Sequence, residues 1–61
     1  MEKGRILVLD DDPVANLSCR RILGAEGYHI STVERGEDAL RKMEKESFDL
    51  FISDIRLPDI S

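Results

Sequence analysis

The feature that most narrows the possible folds is an alternation. Three short apolar runs are separated by two stretches with helical periodicity, all within 61 residues. Arg5-Ile6-Leu7-Val8-Leu9 is apolar without interruption after its leading charge, the pattern of a short strand buried on both faces. Asp10, Asp11 and Asp12 end it, and Pro13 follows. Asp before Pro suits a helix N-cap with Pro at the first helical position. From Pro13 to about Glu26 the spacing predicts a helix, with Ala15, Cys19, Ile22 and Leu23 on one face. Gly27 stands where a helix C-terminal glycine belongs.

Tyr28 to Val33 reads as a second, more alternating strand. Gly36 to about Glu46 reads as a second helix, with Ala39, Leu40 and Met43 inward and Glu37 four residues before Arg41 for a surface pair. Phe48 to Ser53 is a third strand, again apolar, closed by Asp54. Ile55 to Asp59 is a loop, because Pro58 keeps Leu57 out of helical geometry. Strand, helix, strand, helix, strand predicts an α/β fold with a parallel sheet and right-handed crossovers. Strands one and three are the most apolar and belong at the centre of a sheet, so order 2-1-3 is favoured over chain order. That order puts the two helices on opposite faces.

Composition bounds the function. Thirteen Asp and Glu against nine Lys and Arg give a net charge of −4. This balance argues against direct binding to nucleic acid or to an anionic membrane. A single Cys makes no internal disulfide, and no Cys/His set has zinc spacing. The first apolar run is too short for a signal peptide or a span, so the expected compartment is the cytoplasm. Below about 70–80 residues one core rarely supplies more than about 3–5 kcal/mol. The chain is therefore expected to associate or to be part of something longer.

Order 2-1-3 also locates the chemistry. Ligands of open α/β sheets bind beyond the carboxyl ends of strands where the order reverses, here between strands one and three. Asp10, Asp11 and Asp12 leave that end of strand one, and Asp54 leaves the same end of strand three. Neighbouring strands are about 4.8 Å apart, so both strand ends are expected to bring carboxylates to a shared point. Clustered carboxylates repel one another unless a cation joins them. Oxygen donors with a loop carbonyl suit Mg²⁺, and a carboxylate there can attack a phosphoryl group to give an acyl phosphate. Taken singly, the DDDP run is also a turn with an N-cap, and Asp54 a turn residue. Capping needs only one Asp, which leaves the other two without a role.

The blocks Ile6 to Pro13, Gly27-Tyr28, Gly36-Glu37-Asp38-Ala39-Leu40 and Phe48 to Asp59 occur in order and at fitting spacing. Together they resemble the N-terminal half of a response-regulator receiver domain of two-component signalling. The resemblance covers nearly all of residues 1–61, read as one truncated receiver. It implies the first half of a flavodoxin-like doubly wound fold, order 2-1-3-4-5 when whole. It implies that Asp54 is the phosphoacceptor, taking a phosphoryl group from a phosphohistidine on a sensor histidine kinase or phosphotransfer partner. Asp11 would ligate Mg²⁺ directly and Asp10 largely through water. The main-chain carbonyl of Arg56 would be a further ligand, Pro58 would shape the loop, and Asp12 would cap the helix. Such a module is a signalling domain rather than an enzyme.

The family pattern also calls for two more strands, three more helices, a Thr or Ser and a Lys that no residue here supplies. Lys42 and Lys45 read as solvated. Strand three is expected to be an exposed apolar edge, covered by the rest of a receiver or by a second copy. His29 reads as a surface residue and Cys19 as a small core hydrophobe. Gly24 and Gly27 lack nucleotide-loop spacing. One alternative is a haloacid-dehalogenase-type phosphatase, because Asp10 to Val14 fits Asp-x-Asp-x-Thr/Val with Asp10 as nucleophile and Asp12 as acid or base. A helix beginning at Pro13 weighs against it. The other alternative is a pseudo-receiver, an interaction module that is not phosphorylated.

Overall fold

The computed structural model describes residues 3–53. Its elements are β1 (Arg5–Leu9), α1 (Pro13–Ala25), β2 (His29–Val33), α2 (Gly36–Lys45) and β3 (Leu50–Ser53). The three strands form one parallel sheet in the order β2-β1-β3. The chain is thus an α/β unit with the sheet order expected from its apolar pattern.

Register fixes which side chains meet. Leu7 lies opposite Ser31 and Phe51, and Leu9 opposite Val33 and Ser53. Successive side chains alternate across a strand, so Leu7, Leu9 and Val33 share one face. That face packs against α2: Leu7, Val33 and Ala39 form the buried core, with Leu9 and Phe48 against it. Leu7 is fully buried. The other face carries Ile6 and Val8, also buried. There α1 supplies Leu23, which lines a cavity of about 160 Å³ with Ile6, Leu50 and Ile52. The helices therefore cover opposite faces.

Both ends of α1 are closed by local chemistry. Asp12 sits in extended geometry and accepts a hydrogen bond from the Val14 N–H at 2.9 Å, with Pro13 at the first helical position. At the other end Gly27 N–H donates to the Gly24 carbonyl at 3.0 Å and Tyr28 N–H to the Leu23 carbonyl at 3.3 Å. This paired closure needs a left-handed residue, and Gly27 has φ +100°. The chain then turns directly into β2.

Four details differ from expectation. Ile22 is exposed, and the inward line of α1 is Asn16, Cys19 and Leu23. Leu40 and Met43 are also exposed, leaving Ala39 as the buried residue of α2. The cause is placement: α2 packs on β1 and β2 and not on β3, which leaves Leu40 and Met43 open to solvent. Arg41 pairs with Asp38 at 3.8 Å, one turn back, and Glu37 turns instead to Arg35 at 3.6 Å. Finally, β2 and β3 begin at His29 and Leu50 rather than at Tyr28 and Phe48. Tyr28 is taken up by the helix closure, and the Asp49 N–H by the Arg5 carbonyl at 2.8 Å.

Candidate functional site

The acidic run begins where β1 ends. Asp10 N–H donates to the Val33 carbonyl at 3.1 Å, which extends the β1–β2 ladder by one step. Asp10 is buried, whereas Asp11 and Asp12 are exposed. One Asp10 carboxylate oxygen accepts from the Asp12 N–H at 2.9 Å. Asp12 accepts in turn from Val14 N–H. These are two consecutive side-chain-to-backbone turns, and they hand the chain from strand to helix within three residues. Asp12 is therefore the cap expected of it. That use also weighs against Asp12 as the general acid of a phosphatase.

Asn16 is the residue that sequence reasoning missed. It is 6% exposed, the one buried residue of α1. Its side-chain N–H₂ donates to the Asp10 carbonyl at 2.9 Å and to the Val33 carbonyl at 3.4 Å. The signal was available: an amide stands three and seven residues before Cys19 and Leu23, in line with the inward face of the helix. Its neighbour Ala15 drew attention because apolar residues define such a face.

Electrostatics favour a cation beside this run. Among the described residues, none of Asp10, Asp11 and Asp12 is in an ion pair, since the paired cations are engaged by Glu46, Glu37 and Asp38. The free donors are hard carboxylate oxygens, the type that suits Mg²⁺. Among the described residues no three His, Cys, Asp or Glu side chains form a group able to hold a metal ion. Asp10 and Asp11, directly after β1, are the described carboxylates whose donor type would suit Mg²⁺. Further ligands are required from elsewhere. Asp54, Arg56 and Pro58, assigned roles by sequence, lie outside the described residues. Ser53, which precedes Asp54 in the chain, pairs with Leu9, which precedes Asp10.

Elsewhere His29 is exposed as expected, whereas Cys19, expected in the core, is only half-buried as a free thiol. Lys42 pairs with Glu46 at 3.4 Å, and Lys45 is exposed. No helix among the described residues is long and apolar enough to cross a membrane.

An α/β unit of order 2-1-3, with an acidic run leaving its central strand, is the class that fold and site define. The chain belongs to the response regulator receiver domain family, whose model matches residues 6–61. It is 36% identical over 59 residues to the sensor protein EvgS of Escherichia coli O157:H7, covering 97% of this chain and 5% of that protein. It is 35% identical over 60 residues to the DNA-binding transcriptional regulator NtrC of Proteus hauseri, covering 98% of this chain and 13% of that protein. The two-component response regulator ARR2 of Arabidopsis thaliana is 38% identical over 58 residues, 92% of this chain and 9% of that protein. The chain thus spans a small part of each relative's length. No solved structure matches it significantly.

Proposed function

We propose that this segment is the phosphoacceptor part of a two-component phosphorelay in the cytoplasm. Asp54 takes a phosphoryl group from a phosphohistidine on a sensor kinase or phosphotransfer partner. An Asp54 carboxylate oxygen forms the new P–O bond, the P–N bond to the histidine breaks with its electron pair going to the ring nitrogen, and that nitrogen takes up a proton from solvent. Asp10, Asp11, Asp54 and the main-chain carbonyl of Arg56 hold Mg²⁺. The metal, when bound, offsets negative charge on the transferring oxygens. Asp10 and Asp11, directly after β1, would orient it.

The observation that carries this reading is the β1–β3 register. Leu9 and Ser53 are partners on adjacent parallel strands, and each is followed immediately by an acid. Parallel strands run in one sense, so the two acids follow equivalent rungs. The exposure of Asp11, and the acidic run's having no ion pair among the described residues, support a cation there. The modification would add about −1.5 to −2 charge at one point.

The test is to incubate the full-length protein with acetyl phosphate and Mg²⁺, then locate the acyl phosphate by mass spectrometry after borohydride trapping. Label on Asp54, abolished by Asp54→Asn, is expected. Label on Asp10 with rapid turnover would instead support the phosphatase alternative. No label, and no effect of Mg²⁺ or beryllofluoride on thermal stability, would support the pseudo-receiver.

A further inference from the structure

We infer that Asn16 is the positioning residue of the acidic run, fixing the direction in which Asp11 leaves the backbone. This rests on the functional reading above and adds a residue to it.

One residue grips the run at two points. The Asn16 side chain donates to the Asp10 carbonyl at 2.9 Å, and its main-chain N–H donates to the Asp12 carbonyl at 3.1 Å. Asp11 lies between those two anchors. The Asp10 carbonyl belongs to the peptide that joins Asp10 to Asp11. A peptide is planar, so holding that oxygen also sets the Asp11 nitrogen and Cα, from which the carboxylate projects. The same side chain reaches the Val33 carbonyl at 3.4 Å, the oxygen that also receives Asp10 N–H. The ends of β1 and β2 and the first turn of α1 thereby converge on one amide.

The orientation of that amide follows from its partners. Both are carbonyl oxygens, which accept only, so the N–H₂ group must face them. Its Oδ1 is then left buried without a hydrogen-bond partner among the described residues. A buried acceptor with no donor is unfavourable, and an aliphatic side chain of similar size would avoid that cost. The helix start does not require Asn16 either, because Asp12 already caps it. The two donated bonds are what the amide contributes at this position.

The test compares Asn16→Leu, branched at the same carbon but larger and without a donor, with Cys19→Ala, a packing change on the same helix face. Both are made in the full-length protein. Mg²⁺ affinity is measured by calorimetry, the Asp11 and Asp12 amide resonances are followed by NMR, and stability is measured by urea unfolding. Asn16→Leu is expected to weaken Mg²⁺ binding by about 10–100-fold, the range for groups that orient metal ligands, and to move both amide resonances. Cys19→Ala is expected to lower stability and leave the affinity unchanged. Native affinity in Asn16→Leu overturns the inference. If that variant does not fold, Asn16→Ser decides, since its single hydroxyl proton can serve only one of the two carbonyls. Intermediate affinity then supports the role and native affinity overturns it. A native protein that shows no Mg²⁺-dependent change overturns the functional reading itself, a result distinguishable from failure of Asn16 alone.

Discussion

Asp10, Asp11 and Asp12 are chemically identical and adjacent, yet their surroundings give them different work. Asp10 is buried and accepts from the Asp12 N–H, Asp12 accepts from the Val14 N–H, and Asp11 is exposed between them. A cap of this kind is worth about 0.5–2 kcal/mol. Asp12→Ala is therefore expected to lower unfolding free energy by about 1 kcal/mol, while labelling at Asp54 by a small phosphodonor continues. Denaturant unfolding and phosphodonor labelling of the same variant check both halves. Loss of label with unchanged stability would give Asp12 a chemical role instead. The DDDP run made the cap legible in the sequence, since Asp followed by Pro has few other uses. The role of Asn16 was not legible, because its partners are carbonyls on two strands that local sequence does not bring together.

Between elements, the start of β1 is tied to the end of α2 and to β3. Arg5 contacts the Glu46 carboxylate and lies over the Phe48 ring, 5.3 Å from its centroid, while its N–H donates to the Asp49 carboxylate at 2.8 Å. Burial alone would raise the Glu46 pKa, but the charges and hydrogen bonds of Lys42 and Arg5 outweigh it and hold the group below its ordinary value of 4.5. A carboxyl whose folded pKa is depressed contributes stability above its unfolded value, and that contribution is lost as pH falls through the folded one. Native protein is therefore expected to lose stability as pH drops from about 4.5 downwards, and Glu46→Gln to show a shallower acid slope. Urea unfolding across that pH range checks it. Equal slopes in both proteins would show that the junction is not ionically coupled. The partners of this junction were obscure in the sequence. Spacing on α2 suggested Glu37 with Arg41, but Arg41 pairs with Asp38 one turn back and Glu37 with Arg35, and among the described residues only the Arg5–Glu46 pair crosses elements.

For the whole molecule, both helices pack on β1 and β2, and β3 is the thinly covered edge strand among the described residues. Leu50 is 52% and Phe51 41% exposed on β3, and Leu40 and Met43 are exposed on α2. Apolar strand edges of this kind template association. Residues 1–61 produced alone are expected to self-associate, and Leu50→Lys with Phe51→Lys to reduce the associated fraction. Light scattering reads this directly. A mass of one chain together with cooperative unfolding would show that the segment stands by itself. The bare edge was foreseeable from an apolar third strand following two crossovers. The exposure of Leu40 on α2 was not.

The sequence by itself determined the elements, their order and the capping of α1, because these depend on side-chain periodicity and on contacts a few residues apart. It also determined the 2-1-3 sheet, since the relative apolarity of three short runs decides which strands are interior. Only the tertiary structure decided which flank of each helix is buried, that Arg5 meets Glu46, and that an amide on α1 holds the carbonyl before Asp11. Those outcomes depend on where separate elements come to rest against one another, and no local pattern of residues carries that information.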